Sequence, residues 1–225
     1  MAEPTALAVT QRSLLRRKRE RGSYDRAVVN AILDEALVAH VGYVEEGVPH
    51  VLPMTYGRVG DVLYLHGAVG NQTLRTLVAG QPACVAVTLV DGLVFSRAAI
   101  HHSMNYRTVV LFGTARSVED DEEKQVALRA VVDHMALGRM DDTRAPTAEE
   151  LRSTLVVAFP IEEGSAKIRS GGPIEEPEDL VLPFWAGEVP MRWVADEPVP
   201  DAQLRSATSV PDYLARLLTG EAPGP

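Results

Sequence analysis

The chain has 225 residues, of which 46% are hydrophobic and 24% charged, a composition typical of a globular protein with one sizeable core. Its 31 acidic and 22 basic residues give a net charge of -9, so the bulk surface repels DNA and anionic membranes, and we expect neither as a partner. Because no apolar run reaches a membrane span of roughly 20 residues and the start of the chain lacks the pattern of a secretory signal, we expect a cytoplasmic protein.

The first predicted segment is a basic arm over residues 1–22, which contains RSLLRRKRERG. Such a run without interleaved aromatic residues is typical of a solvated arm or of one that lies on an acidic partner surface. The following DRAVVNAILDEA predicts an amphipathic helix, capped by Ser23 or Asp25. Its apolar positions are Val28, Val29, Ile32, Leu33 and Ala36.

Three strand-like runs joined by tight turns come next and predict an antiparallel meander. They are LVAHVGYV (37–44), VPHVLPMTYGRV (48–59) and VLYLHGA (62–68). GNQTLRTLVAG (70–80) predicts a short helix, and ACVAVTLV (83–90) a strand closed by a turn at Asp91-Gly92. Cys84, the only cysteine, lies in that strand and is interpreted as a core residue, so no disulfide framework exists.

The second half of the chain alternates strands and helices. LVFSRAAIHHSMN (93–105) has no clear pattern, and YRTVVLFGTARSVE (106–119) is the longest β-type run. A helix is predicted from Asp120 to Gly138, with an acidic first turn that complements its dipole. We expect its apolar positions Val126, Leu128, Val131, Val132 and Met135 to face the core.

After a capping box at Thr147 and Glu150, LVVAFPIEE (155–163) predicts a strand with SAKIRS (165–170) as an edge strand beside it. The Pro-rich, acidic tail holds both tryptophans in LPFWAGEVPMRWV (182–194), so we expect it to dock on its own body or on a partner subunit. Six or seven short antiparallel strands predict a closed or partly closed barrel over residues 23–170, followed by an extension over 171–225.

One loop has the features of an anion site. HGAVGNQT leads into a helix start, where unpaired amides and the helix dipole favour a phosphate. Asn71, Gln72 and Thr73 add donors and Arg75 a charge, although an ordinary capped loop explains the same residues. The absence of a Walker loop, GxGxxG, HExxH and GxSxG disfavours hydrolases and nucleotide phosphotransferases.

A second polar cluster is HHSMNYRT (101–108), at the entry to the longest predicted strand. Arg107 is its best binding candidate, as a fork donor for a phosphate or a ring oxygen. His101 and His102 point to opposite faces of an extended segment and cannot easily share a metal, so we predict no metal site. His66 either lines a cofactor pocket or is a hydrogen-bonded structural residue.

Four ordered motifs carry a family resemblance that covers about residues 20 to 195. They are VPHVLPMTYGRVGDVLYLHGAVG, DGLVFSRAAIHHSMNYRTVVLFGTA, SAKIRSGGP and WAGEVP. Together they resemble the pyridoxamine 5′-phosphate oxidase-like flavoproteins, and more closely the FMN-binding split-barrel branch that contains the nitroimidazole-resistance reductases. The resemblance implies an antiparallel split β-barrel and a homodimer with FMN in two clefts between the subunits.

The resemblance also implies roles for particular residues. The isoalloxazine ring would be flanked by Pro53, Met54, Thr55 and Tyr56. The ribityl and phosphate path would be lined by Leu65, His66, Gly67 and Ala68, with the phosphate held by Asn71, Gln72 and Thr73. Arg107 and Thr108 would reach the flavin, and Trp185 would close the cleft, from either subunit. The family commonly has a basic residue near the position of Gln72, where this chain has Asn71-Gln72. The loss of that charge-assisted contact would weaken phosphate binding unless Arg75 or Arg107 replaces it.

The sequence therefore predicts an FMN-dependent oxidoreductase that acts on a small, planar organic substrate, with His66 and Tyr56 as the first catalytic candidates to test. The substrate-phosphate residues of true pyridoxamine phosphate oxidases are not recognisable. Two alternatives remain open. One is a flavin-binding or storage protein without turnover, and the other is a split barrel that uses haem, with His101 or His102 as ligand, or a deazaflavin.

Overall fold

The structure is a computed structural model that describes residues 5–204 and 208–218. The ends of the predicted arm and extension, residues 1–4, 205–207 and 219–225, lie outside the described residues. The helices are α1 (Arg26–Glu35), α2 (Gln72–Val78), α3 (Asp121–Met135), α4 (Ala148–Ser153) and α5 (Asp212–Leu218). The strands are β1 (Gly22–Ser23), β2 (Ala39–Glu45), β3 (Val48–Met54), β4 (Gly57–Val59), β5 (Val62–Ala68), β6 (Pro82–Phe95), β7 (Ser103–Thr114), β8 (Arg116–Ser117), β9 (Thr154–Pro160), β10 (Glu163–Arg169) and β11 (Gly187–Pro190).

The strands form two antiparallel sheets. The first sheet has the order β1-β10-β7-β6-β2-β3, with β11 added to β6, and the second has the order β4-β5-β9-β8. Their inner faces, together with α1 and α2, enclose the main core, which includes Leu33, Val41, Leu65, Leu111 and Phe159. This is the predicted antiparallel split barrel with a few peripheral helices.

Strand β6 is longer than predicted and organises the first sheet. Its first half pairs with β2, from Ala83 to Ala86, and its second half pairs with β11, from Gly92 to Phe95. The predicted turn at Asp91-Gly92 is instead a bulge, where the register with β7 shifts between Val90 and Gly92. A bulge bends the strand and changes the direction of a side chain, while the pairing of the strand continues. The Asp91 carboxylate can therefore form an ion pair with Arg107.

The predicted meander is divided between the sheets. The run predicted as one strand over 48–59 breaks after Met54, so that β3 stays in the first sheet while β4 and β5 build the second. The break allows α3 to pack tightly on β4, since a Cβ at Gly57 would lie 2.4 Å from the backbone of Ala130 and Val131.

Helix α3 buries only some of its predicted apolar positions. Val131 is buried as predicted, together with Ala127 and His134, whereas Val126 and Met135 are exposed. The helix covers the outside of the second sheet through a smaller cluster that includes Tyr64 and Val156, against which the predicted Leu128 also packs. Small residues and a histidine on the buried face reflect the close approach of this helix.

Two other strand positions depart from prediction, and one of the two predicted caps of α1 is confirmed. Strand β7 begins at Ser103, inside the segment without a clear pattern, and ends at Thr114. Strand β10 starts at Glu163 and lies between β1 and β7, so it is neither an edge strand nor a neighbour of β9. Asp25, rather than Ser23, caps α1, because its carboxylate accepts from the amides of Ala27 and Val28. Within the described part of the chain, no helix is long and apolar enough to cross a membrane.

Candidate functional site

The predicted ring-flanking residues divide between surface and core. Pro53 and Thr55 are exposed at the end of edge strand β3, and Met54 packs partly against the core. Tyr56 is fully buried. Its hydroxyl lies 2.5 Å from the Leu33 carbonyl oxygen and 2.7 Å from that of Ala36, at the end of α1.

Tyr56 therefore acts as a cap for α1, because the last carbonyls of a helix have no partner within the helix. Its ring also packs on the His134 ring, with centroids 4.6 Å apart. Burial raises the pKa of the Tyr56 hydroxyl well above its usual range. A buried, hydrogen-bonded and protonated phenol stabilises the fold and has no access to a substrate.

The residues predicted to line the ribityl and phosphate path alternate between the two faces of β5. Leu65 is completely buried in the main core, and a Cβ at Gly67 would contact Leu74 at 3.0 Å and the Asn71 side chain at 3.3 Å. His66 points to the opposite face by strand alternation. Its Nδ1 is buried and has no hydrogen-bond partner in the part of the chain that the structure describes, and burial lowers the pKa of the ring. His66 is thus a neutral imidazole with an unused polar atom, and Ala68 is exposed beyond it.

The three residues predicted to hold the phosphate each have a hydrogen-bond partner within the chain. Asn71 caps α2 by accepting from the Leu74 amide at 3.1 Å. Gln72 Nε2 donates to Glu45 Oε1 at 2.8 Å, and Thr73 Oγ1 lies 3.1 Å from the Tyr43 hydroxyl. The loop is therefore an internally bonded helix start, as the structural alternative predicted.

Glu45, the last residue of β2, is not among the predicted site residues. Its Oε1 also accepts from Thr76 Oγ1 at 2.6 Å, and the bonds from Thr76 and Gln72 lower the pKa of the carboxyl. An ionised carboxylate thus stands where the resemblance expects a phosphate. The detectable signal was its position at the end of a strand, immediately before the Glu46-Gly47 turn that directs it towards α2.

Arg107 is held by two carboxylates rather than left free for a ligand. Its guanidinium pairs with Glu35 of α1 and with Asp91 of the β6 bulge, the latter at 2.7 Å. These hydrogen bonds, with that of Glu35 the larger cause, raise the pKa of Arg107 further. Thr108 donates to the Val87 carbonyl at 2.7 Å and lies 2.9 Å from the Thr88 hydroxyl.

The outer face of the first sheet includes the predicted residue Pro53. Registers place Pro53 beside His40, His40 beside Ala86, and Ala86 beside Val110. The next row holds Val51, which is 66% exposed, Gly42, Cys84 and Phe112, and the Arg12 guanidinium lies 5.4 Å from the centroid of the Phe112 ring. Around Val51, Pro53 and Ala86 the side chains are apolar, so this part of the face suits a planar ligand or a second subunit.

Trp185 lies at one end of this sheet in an aromatic corner. It is 65% exposed, and its ring centroid lies 5.9 Å from that of Phe95, which in turn contacts His102 edge-on at 5.7 Å. His102 and Ile100 are exposed in the same hairpin, whereas His101 is half-buried. Within residues 5–204 and 208–218, no group of three or more histidine, cysteine or acidic side chains is arranged to hold a metal ion.

Two polar contacts fix the segment that carries Trp185. Glu175 accepts from the Ser96 hydroxyl at 2.9 Å and the Arg97 amide at 2.6 Å, and it also pairs with the Arg97 guanidinium. Arg169, which is only 5% exposed, bonds Asn105 and donates to the carbonyls of residues 171 and 172. The aromatic corner is therefore a fixed part of the subunit, in line with the expected docking of the tail.

The structure thus brings together only some of the predicted site. Pro53, Thr55 and the outer sheet face are accessible, and Trp185 lies at another end of the same sheet. Leu65 and Tyr56 belong to the core, and the donors of Arg107 and Gln72 are used within the subunit. Within the described subunit, the accessible predicted residues therefore do not line one enclosed cleft.

Comparisons with known proteins agree with this architecture. The flavocytochrome Anf3 from Azotobacter vinelandii is 35% identical, with a TM-score of 0.86 over 92% of this chain and 96% of that one. An FAD and heme binding protein from Mycobacterium smegmatis is 34% identical, with a TM-score of 0.84 over 88% of this chain and 97% of that one.

A 5-nitroimidazole antibiotic resistance protein from Bacteroides thetaiotaomicron is 26% identical, with a TM-score of 0.56 over 65% of this chain and 86% of that one. No curated protein matches the sequence. The sequence model of the family described as pyridoxamine 5′-phosphate oxidase matches residues 25–168, well over half of the chain. The chain therefore belongs to the pyridoxamine 5′-phosphate oxidase family.

Proposed function

We propose that this protein binds a flavin and uses it as an oxidoreductase that transfers electrons or a hydride to or from a small, planar organic molecule. The observation that carries the proposal is the match along nearly the whole chain to a flavocytochrome and to an FAD and heme binding protein. The flavin would supply the redox chemistry, while the protein orients the ring and controls access to it.

The residues present fit a planar, largely neutral ring system. The outer face of the first sheet offers Val51, Pro53 and Ala86 for contact with a flat ring. On the second sheet, His66 has a buried Nδ1 with no hydrogen-bond partner among the described residues. A polar atom of this kind gains a hydrogen bond when a ligand reaches it. In this proposal two copies of the chain close the cleft, and Trp185 contributes to its wall.

The loop predicted to hold the phosphate favours FAD over the FMN that the resemblance implied. A terminal monophosphate carries nearly two charges at neutral pH on one group, whereas the diphosphate of FAD spreads its charge over two. At Gln72 such a monophosphate would meet the Glu45 carboxylate and an amide that is already bonded. We therefore propose tighter binding of FAD than of FMN.

Reconstitution tests the cofactor assignment. The purified protein should carry a flavin absorption spectrum, and mass spectrometry of the released cofactor should identify FAD. The apoprotein, titrated with FAD and FMN and followed by quenching of flavin fluorescence, should bind FAD at least about tenfold more tightly. A colourless protein that regains no bound flavin spectrum with either compound would refute flavin binding altogether.

Turnover separates an enzyme from a storage protein. Anaerobic stopped-flow reduction by NADH or NADPH, followed by mixing with oxygen, a quinone or a nitroimidazole, should show that the bound flavin is reduced and then reoxidised by at least one acceptor. Tight flavin binding without reoxidation by any acceptor faster than free flavin would favour the storage alternative.

Haem is a second candidate cofactor for two reasons. Two of the similar proteins are named as a flavocytochrome and as an FAD and heme binding protein, and His102 lies at the aromatic corner. His102 contacts Phe95, which contacts Trp185, and these apolar rings would contact a porphyrin. His101 precedes His102 in the chain. Haem titration should produce a sharp Soret band, and His101→Ala or His102→Ala should shift it if that residue is an iron ligand. Exposed His40→Ala is the matched control on the sheet face.

A further inference from the structure

Residues 191–204 form a strap, and all fourteen of them are exposed. The strap leaves the subunit at β11, which is paired with β6. Beyond it, α5 returns to the subunit through Tyr213, whose hydroxyl donates to Asp142 at 2.8 Å. Trp193 and Val199 are 88% and 92% exposed between these two attachments. Large apolar side chains in an anchored segment mark a surface that another molecule covers.

The strap is also acidic. It carries Asp196, Glu197 and Asp201 against a single basic residue, Arg192. Among the residues that the structure describes, none of these three carboxylates forms an ion pair. The covering surface should therefore be basic.

The N-terminal arm supplies such a surface. Arg16, Arg17, Lys18 and Arg19 are consecutive and exposed, and no ion pair to them exists in the described ranges. Arg12 attaches the arm to the outer face of the first sheet, where it bonds Glu163. The arm is thus fixed on the same sheet face that the proposed dimer would use.

We propose that the strap of one copy lies on the basic arm of a second copy. The carboxylates of the strap face the arm's basic side chains, and Trp193 and Val199 are buried in the contact. Twofold symmetry forms this contact twice in each dimer. The inference rests on the proposed homodimer and adds the segments that hold it together.

Charge reversal in mixed dimers tests the contact. The strap variant is Asp196→Lys/Glu197→Lys/Asp201→Lys, and the arm variant is Arg16→Glu/Arg17→Glu/Arg19→Glu. Each variant alone should dimerise about tenfold to a hundredfold more weakly at low salt, because six exposed charge pairs become repulsive. Analytical ultracentrifugation with one fluorescently labelled variant measures the dissociation constants.

Mixing the two variants is the decisive arm of the experiment. In a mixed dimer both strap-arm contacts regain opposite charges, so the heterodimer should approach wild-type affinity and weaken at 1 M salt. A contact within one chain would leave each variant mismatched, and mixing would then restore nothing. Glu176→Lys/Glu178→Lys, on the same extension but outside the strap, should dimerise as the wild type does.

Three outcomes would overturn the inference. They are wild-type dimerisation by both reversed variants, heterodimers formed only at the statistical frequency, and a monomeric wild-type protein. The last outcome would also refute the proposed homodimer. Flavin content, measured on the same samples, reports separately on the proposed cofactor, so the two proposals can fail independently.

Discussion

Replacing Tyr56 by phenylalanine should weaken the fold and leave the redox chemistry intact. The change keeps the ring that packs on His134 and removes only the hydroxyl that caps α1. After this change, the Ala36 carbonyl keeps its hydrogen bond to His134 Nε2 at 2.7 Å. Only the Leu33 carbonyl loses its hydrogen-bond donor. A buried polar group without a partner costs about 1–3 kcal/mol. Because only one carbonyl is left without a partner, we expect Tyr56→Phe to destabilise the protein by an amount in the lower half of that range.

Urea unfolding followed by far-UV circular dichroism measures this loss. For a chain of this size, a loss of about 1–2 kcal/mol lowers the thermal midpoint by about 2–8 °C. Tyr106→Phe is the matched control, because the Tyr106 hydroxyl has no hydrogen bond in the described structure, and it should change stability by less than about 0.5 kcal/mol. Unchanged stability together with altered flavin affinity or turnover would refute the capping role and restore Tyr56 as a candidate for catalysis.

Three further predictions follow from the site and the fold. Glu45→Gln removes the ionised carboxylate at the phosphate end, so FMN affinity should rise about threefold to tenfold in a fluorescence titration, and weaker FMN binding would place the phosphate elsewhere. Burial lowers the pKa of His134, so its stabilisation is complete above about pH 6.5 and is lost as the pH falls through the lower folded-state value. His134→Gln should therefore reduce the pH dependence of the urea midpoint between about pH 7 and 5, whereas exposed His102→Gln should keep it. Gly57→Ala would push a methyl group against the backbone of α3 and destabilise the protein by about 1–3 kcal/mol in urea, whereas Gly70→Ala, with open space around it, should be close to neutral.

The fold was predictable from the sequence because alternation and turn residues are local signals. The strands from Ala39 to Ala68 and helix α1 lie close to their predicted positions, as does the capping box at Thr147. The division of the meander between two sheets was not predictable, since it depends on the approach of α3 to Gly57 from more than 70 residues away in sequence. The bulge at Asp91 was not predictable either, because an Asp-Gly pair also suits an ordinary turn.

The candidate site was less predictable, because the type of a polar residue does not reveal the partner of its side chain. Arg107 has the chemistry of an anion ligand, yet two carboxylates from α1 and β6 bind it. Glu45 lies next to a turn, yet it accepts a hydrogen bond from Gln72, which was predicted to hold a phosphate, and another from Thr76. Both cases concern contacts between residues distant in sequence, which only the folded chain brings together.

Those internal pairings also explain why the proposed cleft requires two subunits. Where Arg107 and Gln72 are already bonded within the subunit, a ligand would have to replace strong charge-assisted or amide hydrogen bonds in order to bind there. At the end of the outer sheet face near β3, Val51 and Pro53 are exposed, and apolar surface of this kind gains free energy when it is covered. A planar ring and a second copy of the chain would both make use of that gain. Binding on this face should therefore be driven by burial of surface, and phosphate charge should contribute less than it does in relatives with a basic residue in the loop.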